Sequence, residues 1–332
     1  MPKISVVIPT YNRAVYLDAA IASVLAQCGA DFEIIISDNG SLDNTQAIVN
    51  KYLVDSRVRY YRNEQNIGMV RNWRKAIYEY ATGDWFILLS DDDYLIDPAY
   101  LAKASQLIQN NPKLMMVYAE GFLLDESTGR QTLLKLPFEG IVDGVEVFAS
   151  RGSVKPQDFI LCNIVFNRRM TIELNAFANP DNLACDSELF LKLAIMGDVG
   201  VINEQVSVYR FHSENLLKKI VKSPVLIYGN LSGLISPYLY AKSRISPEQL
   251  RIFVSNAALE KVIANTLLLV ACYSWEKFLE WRKETISTVP ELSVEIMQTI
   301  KYRCQLLFCR LGGCAVPTIY FLLREKFYKL RK

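Results

Sequence analysis

The 332-residue chain has one histidine, His212, and no Cys-x-x-Cys pair among its seven cysteines. Closely spaced cysteine pairs are the usual frame of a structural zinc site, so their absence argues against one. An odd set of scattered thiols (Cys28, Cys162, Cys185, Cys272, Cys304, Cys309, Cys314) is also a poor disulfide framework. It points to reduced cysteines in a cytoplasmic protein. No stretch approaches the ~20 apolar residues of a membrane-spanning helix. The first residues, Met-Pro-Lys-Ile-Ser-Val-Val-Ile-Pro, lack the layout of a signal peptide. Net charge is only +2, so no broad field draws nucleic acid. The segment after the first expected strand, Pro9-Thr-Tyr-Asn-Arg13, holds no glycine. That excludes a Gly-x-Gly-x-x-Gly dinucleotide turn there, and the glycine-rich basic loop with which a nucleotidylyltransferase would grip a triphosphate.

What is present is a core-forming composition, 51% hydrophobic and 22% charged. Strand and helix patterns alternate from the start. Residues 4–8 and 32–37 are β-branched apolar runs, 58–61 is a third strand, and 85–89 a fourth. Helical patterns follow over 14–27, 43–53, 69–81 and 98–110. Such alternation predicts an α/β fold with a mainly parallel central sheet, right-handed crossovers and helices on both faces. Ligands then sit beyond the carboxyl ends of the strands. Three of those ends carry polar clusters: Thr10–Arg13, Asp38–Ser41 and Asp91–Asp93.

The third cluster is the most telling. Phe86-Ile-Leu-Leu-Ser-Asp-Asp-Asp-Tyr-Leu95 runs apolar residues into Asp91, Asp92 and Asp93. Adjacent carboxylates repel unless a cation or strong donors meet them. Hard oxygen ligands suit Mg²⁺ or Mn²⁺, shared between one or two carboxylates and substrate phosphates. An acidic turn capping the next helix is the plainer alternative.

Further along, a strand is expected over 114–123, a hairpin turning at Glu126–Gly129, a strand over 159–166, a helix over 186–194, and two short strands over 199–202 and 206–211. Beyond about residue 215 helical patterns take over, at 246–272, 274–287, 291–310 and 316–331. The final segment mixes aromatics with Arg324, Lys326, Lys329, Arg331 and Lys332. A basic aromatic helix of this kind either lies in a membrane interface or packs on its own domain with a solvated basic face.

Together, these segments resemble the family 2 glycosyltransferases of the GT-A fold. The pieces are Ser5-Val-Val-Ile-Pro-Thr-Tyr-Asn-Arg13, Glu33-Ile-Ile-Ile-Ser-Asp-Asn-Gly-Ser-Leu-Asp-Asn-Thr45, Asn66-Ile-Gly68 with Arg71-Asn72, Ala81-Thr-Gly-Asp84, Leu89-Ser-Asp-Asp-Asp93, Cys185-Asp186-Ser-Glu188 and Tyr209-Arg-Phe-His212. The resemblance spans about residues 3 to 215. It implies a GT-A domain over 1–215, with a nucleotide-sugar half over 1–112 and an acceptor half with the catalytic base over 113–215. A helical region over 216–332 remains for membrane or oligomer contacts, on the inner membrane face or between copies of the chain.

The resemblance also implies roles. Pro9, Thr10, Tyr11 and Arg13 form the base and ribose pocket, and Asp38 with Asn39 meets the base. Arg71 faces the diphosphate, on a spacing from Asn66 shorter than is common in the family. Asp91, Asp92 and Asp93 carry the D-x-D pair: Asp91 and Asp92 on the nucleotide sugar, Asp92 and Asp93 on the metal, joined by His212. Asp186 is the catalytic base, although its usual acidic neighbour is Cys185 here. The implied reaction is a metal-dependent, inverting transfer from a nucleotide-diphosphate sugar to a saccharide or lipid-linked saccharide acceptor, in polysaccharide or glycolipid synthesis. Duller readings exist residue by residue: Tyr11 as a turn aromatic, Asp38-Asn39-Gly40 as a turn, Asp186 as a helix N-terminal charge, and Asn167, Arg168 and Arg169 as a solvated strand end rather than an acceptor contact. The non-enzymatic rival is a binding subunit that has lost catalysis.

Overall fold

The computed structural model describes residues 1–150, 161–213, 224–229, 231–257 and 259–292. The tail over 316–331 and nearly all of the helix expected over 291–310 lie outside them. The first half alternates as its apolar periodicity requires: β1 (Ile4–Thr10), α1 (Ala14–Leu25), β2 (Phe32–Asp38), α2 (Thr45–Asn50), β3 (Val58–Arg62), α3 (Met69–Lys75), β4 (Trp85–Leu88), β5 (Tyr94–Leu95) and α4 (Tyr100–Asn110). The second half holds β6 (Leu114–Asp125), β7 (Arg130–Leu134), β8 (Gly140–Val142), α5 (Gly144–Ala149), β9 (Ile164–Asn167), α6 (Arg168–Glu173), α7 (Cys185–Met196) and β10 (Asp198–Phe211). Five helices follow: α8 (Pro224–Gly229), α9 (Ser232–Ala241), α10 (Pro247–Asn256), α11 (Leu259–Tyr273) and α12 (Trp275–Thr288).

The strands form one sheet in the order β3-β2-β1-β4-β9-β6-β10-β5, with β7 beside β6 and β8 beside β10. β1, β2, β3 and β4 are parallel, so Thr10 ends level with Asp38. β9 is antiparallel to both β4 and β6, and β6 is parallel to β10. The sheet is therefore mixed at its centre. Alternate residues of β1 serve opposite faces, as a period of two dictates. Ile4, Val6 and Ile8 join Leu17, Ile21, Tyr100 and Leu101 of α1 and α4. Val7 faces Trp73, Phe148, Leu189 and Phe190 on the other side.

Three local expectations need correction. The helix over 69–81 keeps α-geometry only to Lys75 and continues to Tyr80 as a π-helix. Arg168 explains how that wider turn is tolerated: Nε donates to the Ile77 carbonyl at 2.7 Å and Nη2 to that of Tyr78 at 3.2 Å. The two short strands over 199–202 and 206–211 are one strand, β10, bulged where Asn203 and Glu204 are extruded. Periodicity breaks at a bulge, so sequence reads one strand as two. The strand expected over 159–166 begins only at Ile164 after a 3₁₀ turn, and residues 159–160 lie outside the described set.

The bulge has a consequence for the strand ends. It lets the second half of β10 pair antiparallel with β5, Val208 opposite Tyr94. The chain just after the three aspartates is thereby pinned beside Tyr209–His212.

Candidate active site

Each strand end contributes as its loop allows. After β1, Asn12 adopts a left-handed φ of 54°. Its backbone N–H donates to Ser41 Oγ at 2.9 Å and its side-chain oxygen accepts from the Leu42 N–H at 2.7 Å. The loops after β1 and β2 are thus stitched together. Tyr11 stands 41% exposed beside this seam, while Pro9 and Thr10 close β1.

Asp38 is buried at the end of β2. One oxygen accepts the Ser41 N–H at 2.8 Å and the other the Tyr60 hydroxyl at 2.6 Å. A carboxylate has about four acceptor positions, so capacity for a ligand remains. Asn39 is more fully committed. Its oxygen accepts from Ile67 N–H at 3.0 Å and Asn63 Nδ2 at 3.2 Å, and its amide donates to Asn66 at 2.9 Å. It fixes the Asn66-Ile-Gly68 turn and hence the start of α3. Next to it Asn72 donates to the Ser37 carbonyl at 2.9 Å. Arg71, its neighbour on α3, is exposed and makes no hydrogen bond or ion pair among the described residues.

The aspartates after β4 are all buried, at 4%, 4% and 2% exposure. Arg13 reaches them from the start of α1, donating Nη1 to Asp91 Oδ1 at 3.4 Å and also to Asp92 Oδ2. His212 Nε2 lies 2.9 Å from that same Asp92 oxygen. Asp93 accepts the Arg210 backbone N–H at 3.0 Å. Arg13 and the Arg210 charge do not balance three buried carboxylates. Burial first, and the Asp92 charge second, push Asp91 up to about 7 and Asp93 well above the usual carboxylate range. Burial works against the Arg13 charge, but Asp91 and Asp92 outweigh it and raise its pKa.

The donor set fits a hard divalent ion. Adjacent ligands of an octahedral ion sit roughly 3 Å apart when metal–ligand distances are ~2.1 Å. The Asp92–His212 contact of 2.9 Å has that separation. Among the described residues no third side chain completes a ready cage. An ion here would draw further ligands from phosphate oxygens and water, and Arg13 would have to yield the shared Asp92 oxygen.

Asp186 opens α7 and is partly buried, its Oδ1 accepting the Ser187 N–H at 2.7 Å. Tyr209, on the bulged half of β10, has its hydroxyl pushed far up, by burial first and then by Asp93, Asp92, Cys162 and Asp186 together. The Tyr209 hydroxyl thus lies within electrostatic reach of Asp92, Asp93 and Asp186. Cys185 is a buried, free thiol, held protonated by burial and by the nearby Asp186 and Glu188.

The structure thus gathers Arg13, Asp91, Asp92 and His212 in direct contact, with Asp93 beside them on the Arg210 N–H. It spends Asn167 and Arg168 on the fold: Asn167 caps α6 and Arg168 serves the π-helix. Sequence reading missed Tyr16, Tyr60, Glu126 and Tyr209. Tyr16 was findable, since it lies three residues after Arg13 on one helical face.

Residues 5–141 match the model of glycosyl transferase family 2. This stretch is thus similar to family 2 glycosyltransferase domains. A Campylobacter jejuni GalNAc(5)-diNAcBac-PP-undecaprenol beta-1,3-glucosyltransferase is 36% identical over 135 residues, 39% of this chain and 43% of that protein. A PGL/p-HBAD biosynthesis glycosyltransferase of Mycobacterium bovis is 25% identical over 223 residues, 60% of this chain and 87% of that one. The matched part thus spans less than half of the first of these relatives. Solved structures share the fold. S. aureus TarS 1-349 in complex with UDP-GlcNAc superposes with a TM-score of 0.62 at 15% identity, covering 92% of this chain and 79% of that one. The mannosyltransferase PcManGT of Pyrobaculum calidifontis, in complex with GDP-Man and Mn²⁺, gives 0.56 at 17%, covering 96% and 87%. The chain therefore adopts the GT-A fold.

Proposed function

We propose that the protein transfers a sugar from a nucleotide-diphosphate donor to a hydroxyl of a saccharide or lipid-linked saccharide, with inversion. The observation that carries this reading is the buried acidic cluster at the strand ends, where Arg13 reaches Asp91 and Asp92 and His212 Nε2 lies 2.9 Å from Asp92. Such a site can treat the two ends of a displacement separately. At one end the leaving diphosphate gathers negative charge. Asp92 and His212 would hold Mn²⁺ or Mg²⁺ there, joined by Asp93 only if it turns from the Arg210 N–H, and the ion would supply charge stabilisation. Arg13, freed from Asp92, and the exposed Arg71 add cationic donors. At the other end Asp186 takes the acceptor proton as general base. Tyr11 and Asp38 offer a face and an acceptor to the base, on the seam between the first two loops. A single base opposite the leaving group favours direct displacement and inversion, by the logic of an inverting glycosidase.

The relative that acts on an undecaprenol-linked substrate supports a lipid-linked acceptor, and those relatives' roles support polysaccharide or glycolipid synthesis. On this reading the protein works in the cytoplasm at the inner membrane face. Among the described residues no helix is long and apolar enough to cross a membrane. We assign residues 1–112 to the donor and 113–215 to the acceptor and base.

The test is release of nucleoside diphosphate from UDP-, GDP-, dTDP- and CDP-sugars, with and without Mn²⁺ and with membrane lipid extract as acceptor source. Metal- and acceptor-dependent release from one donor is expected. Tight donor binding with no release in any combination would favour the inactive binding subunit instead.

A further inference from the structure

Tyr16 has no part in the proposed transfer, yet it touches the metal end of the site by three routes. Its ring stacks on His212 with centroids 5.0 Å apart and planes inclined by 29°. Its hydroxyl donates to Glu126 Oε2 at 3.2 Å. The Arg210 guanidinium lies over it at 5.4 Å from the centroid, and over Tyr94 at 4.8 Å. Arg210 in turn meets Glu126 at 3.8 Å and donates its backbone N–H to Asp93 at 3.0 Å. Four separate elements converge here: α1, β5, the β6–β7 hairpin turn and the end of β10.

An imidazole just past a strand end has two side-chain torsions to fix. The Tyr16 ring fixes the plane of the imidazole, and the hydroxyl bond to Glu126 fixes the Tyr16 ring. Orientation of a ligand histidine by its outer partners is a recurring device in metal sites, and loss of such a partner weakens metal binding on the order of 10–100-fold.

We propose that Tyr16 is a positioning residue that holds His212 against Asp92 for metal binding, and that Glu126 on the hairpin turn holds Tyr16. This rests on the proposed assignment of His212 to the metal. It predicts that the hairpin is part of the metal site although it carries no ligand.

Because His212 is the only histidine, protein labelled with ¹³C-histidine shows one imidazole signal. In metal-free protein, Tyr16→Leu should move that signal by removing the ring current, and Tyr16→Phe should leave it nearly in place. In a Mn²⁺ titration the paramagnetic ion should broaden the wild-type signal. Tyr16→Leu should need on the order of 10–100-fold more Mn²⁺ for half-broadening. Glu126→Gln, on an exposed turn and so tolerated by the fold, should fall between. A lower melting temperature for Tyr16→Leu with an unchanged Mn²⁺ midpoint would make Tyr16 a packing residue only, overturning the assignment and leaving the proposed transfer intact. Absence of broadening in the wild type would remove His212 from the metal and overturn this proposal, while donor turnover judges the reaction separately. Should Tyr16→Leu not fold, unchanged midpoints in both Tyr16→Phe and Glu126→Gln would overturn it equally.

Discussion

Asp186 and Asp92 carry the same functional group in different surroundings, and that difference supports the separate tasks proposed for them. Asp92 is buried against Arg13 and His212, where cationic and metal-binding groups claim its charge. Asp186 is the less buried of the two, at the head of α7, with one oxygen on the Ser187 N–H. A base must be reached by the acceptor hydroxyl, and the partly exposed carboxylate is the one an acceptor can approach. Asp186→Asn is isosteric and removes the proton acceptor. It should bind nucleotide normally and transfer sugar at least about a hundredfold more slowly, the general-base contribution being typically ~10²–10⁴. Single-turnover transfer with parallel nucleotide titration would check it, and near-normal turnover would remove Asp186 from the mechanism. Arg13, Asp91, Asp92 and His212 stand in family-like motifs, whereas Tyr16, Glu126 and Tyr60 do not, and Tyr209 stands in one that implies no role of its own. Those four act through aromatic faces, hydroxyls and a turn carboxylate on otherwise ordinary elements, and such residues have no local signature.

At the scale of elements, motifs that read as ligand sites divide into two kinds. The Asp38-Asn39-Gly40 segment joins a ligand-facing carboxylate to a purely structural pair. Gly40 has a φ of 82°, and a Cβ there would lie 2.9 Å from the Gln65 carbonyl carbon. Gly40→Ala should therefore cost roughly 1–3 kcal/mol in strain at that turn. Chemical denaturation would measure it, and wild-type stability would mean that the 63–68 turn can shift without loss. Ala81-Thr-Gly-Asp84 is structural throughout. Thr82 donates its backbone N–H to buried Glu33 at 2.7 Å, and a Cβ on Gly83 would lie 2.6 Å from the Lys3 carbonyl oxygen. This knot ties β1, β2 and β4 at the end opposite the triplet, where Lys3 and Arg59 balance Glu33. A motif search cannot separate the two kinds, because close backbone approach and ligand contact select the same small and polar residues.

At the scale of the molecule, the helical region is no appendage. Phe253 of α10 stacks on Phe148 of α5 at 4.1 Å, and Tyr238, Phe253, Leu267 and Phe278 share one core with Leu189 and Phe190 of α7. The change of pattern near residue 215 is one of secondary structure, not of core. Its tightest seam lies against the stretch that leads into Asp186. A Cβ on Gly229 would come 2.2 Å from the Asp181 carbonyl oxygen, and one on Gly233 2.7 Å from Ala184 Cβ. Gly229→Ala should lower stability by roughly 1–3 kcal/mol through overpacking. It should also slow transfer, since displacement of 181–184 moves the start of α7. Thermal melts and turnover measured side by side would check this. A destabilised variant with unimpaired turnover would show that the helices stabilise the domain without placing its base.

The chain's own order of residues determined the α/β alternation, the strand ends that bear polar clusters and the identity of the acidic groups. Those are local matters of apolar period and turn chemistry, and each can be read within a dozen residues. Tertiary structure alone decided which groups meet. β10 carries His212 to Asp92, β9 runs against its neighbours, and Arg13 crosses from the start of α1 to Asp91 and Asp92. Such contacts join residues dozens to more than a hundred positions apart, as in the 120-residue separation of Asp92 and His212. They are selected by packing over the whole sheet, and no local pattern encodes them.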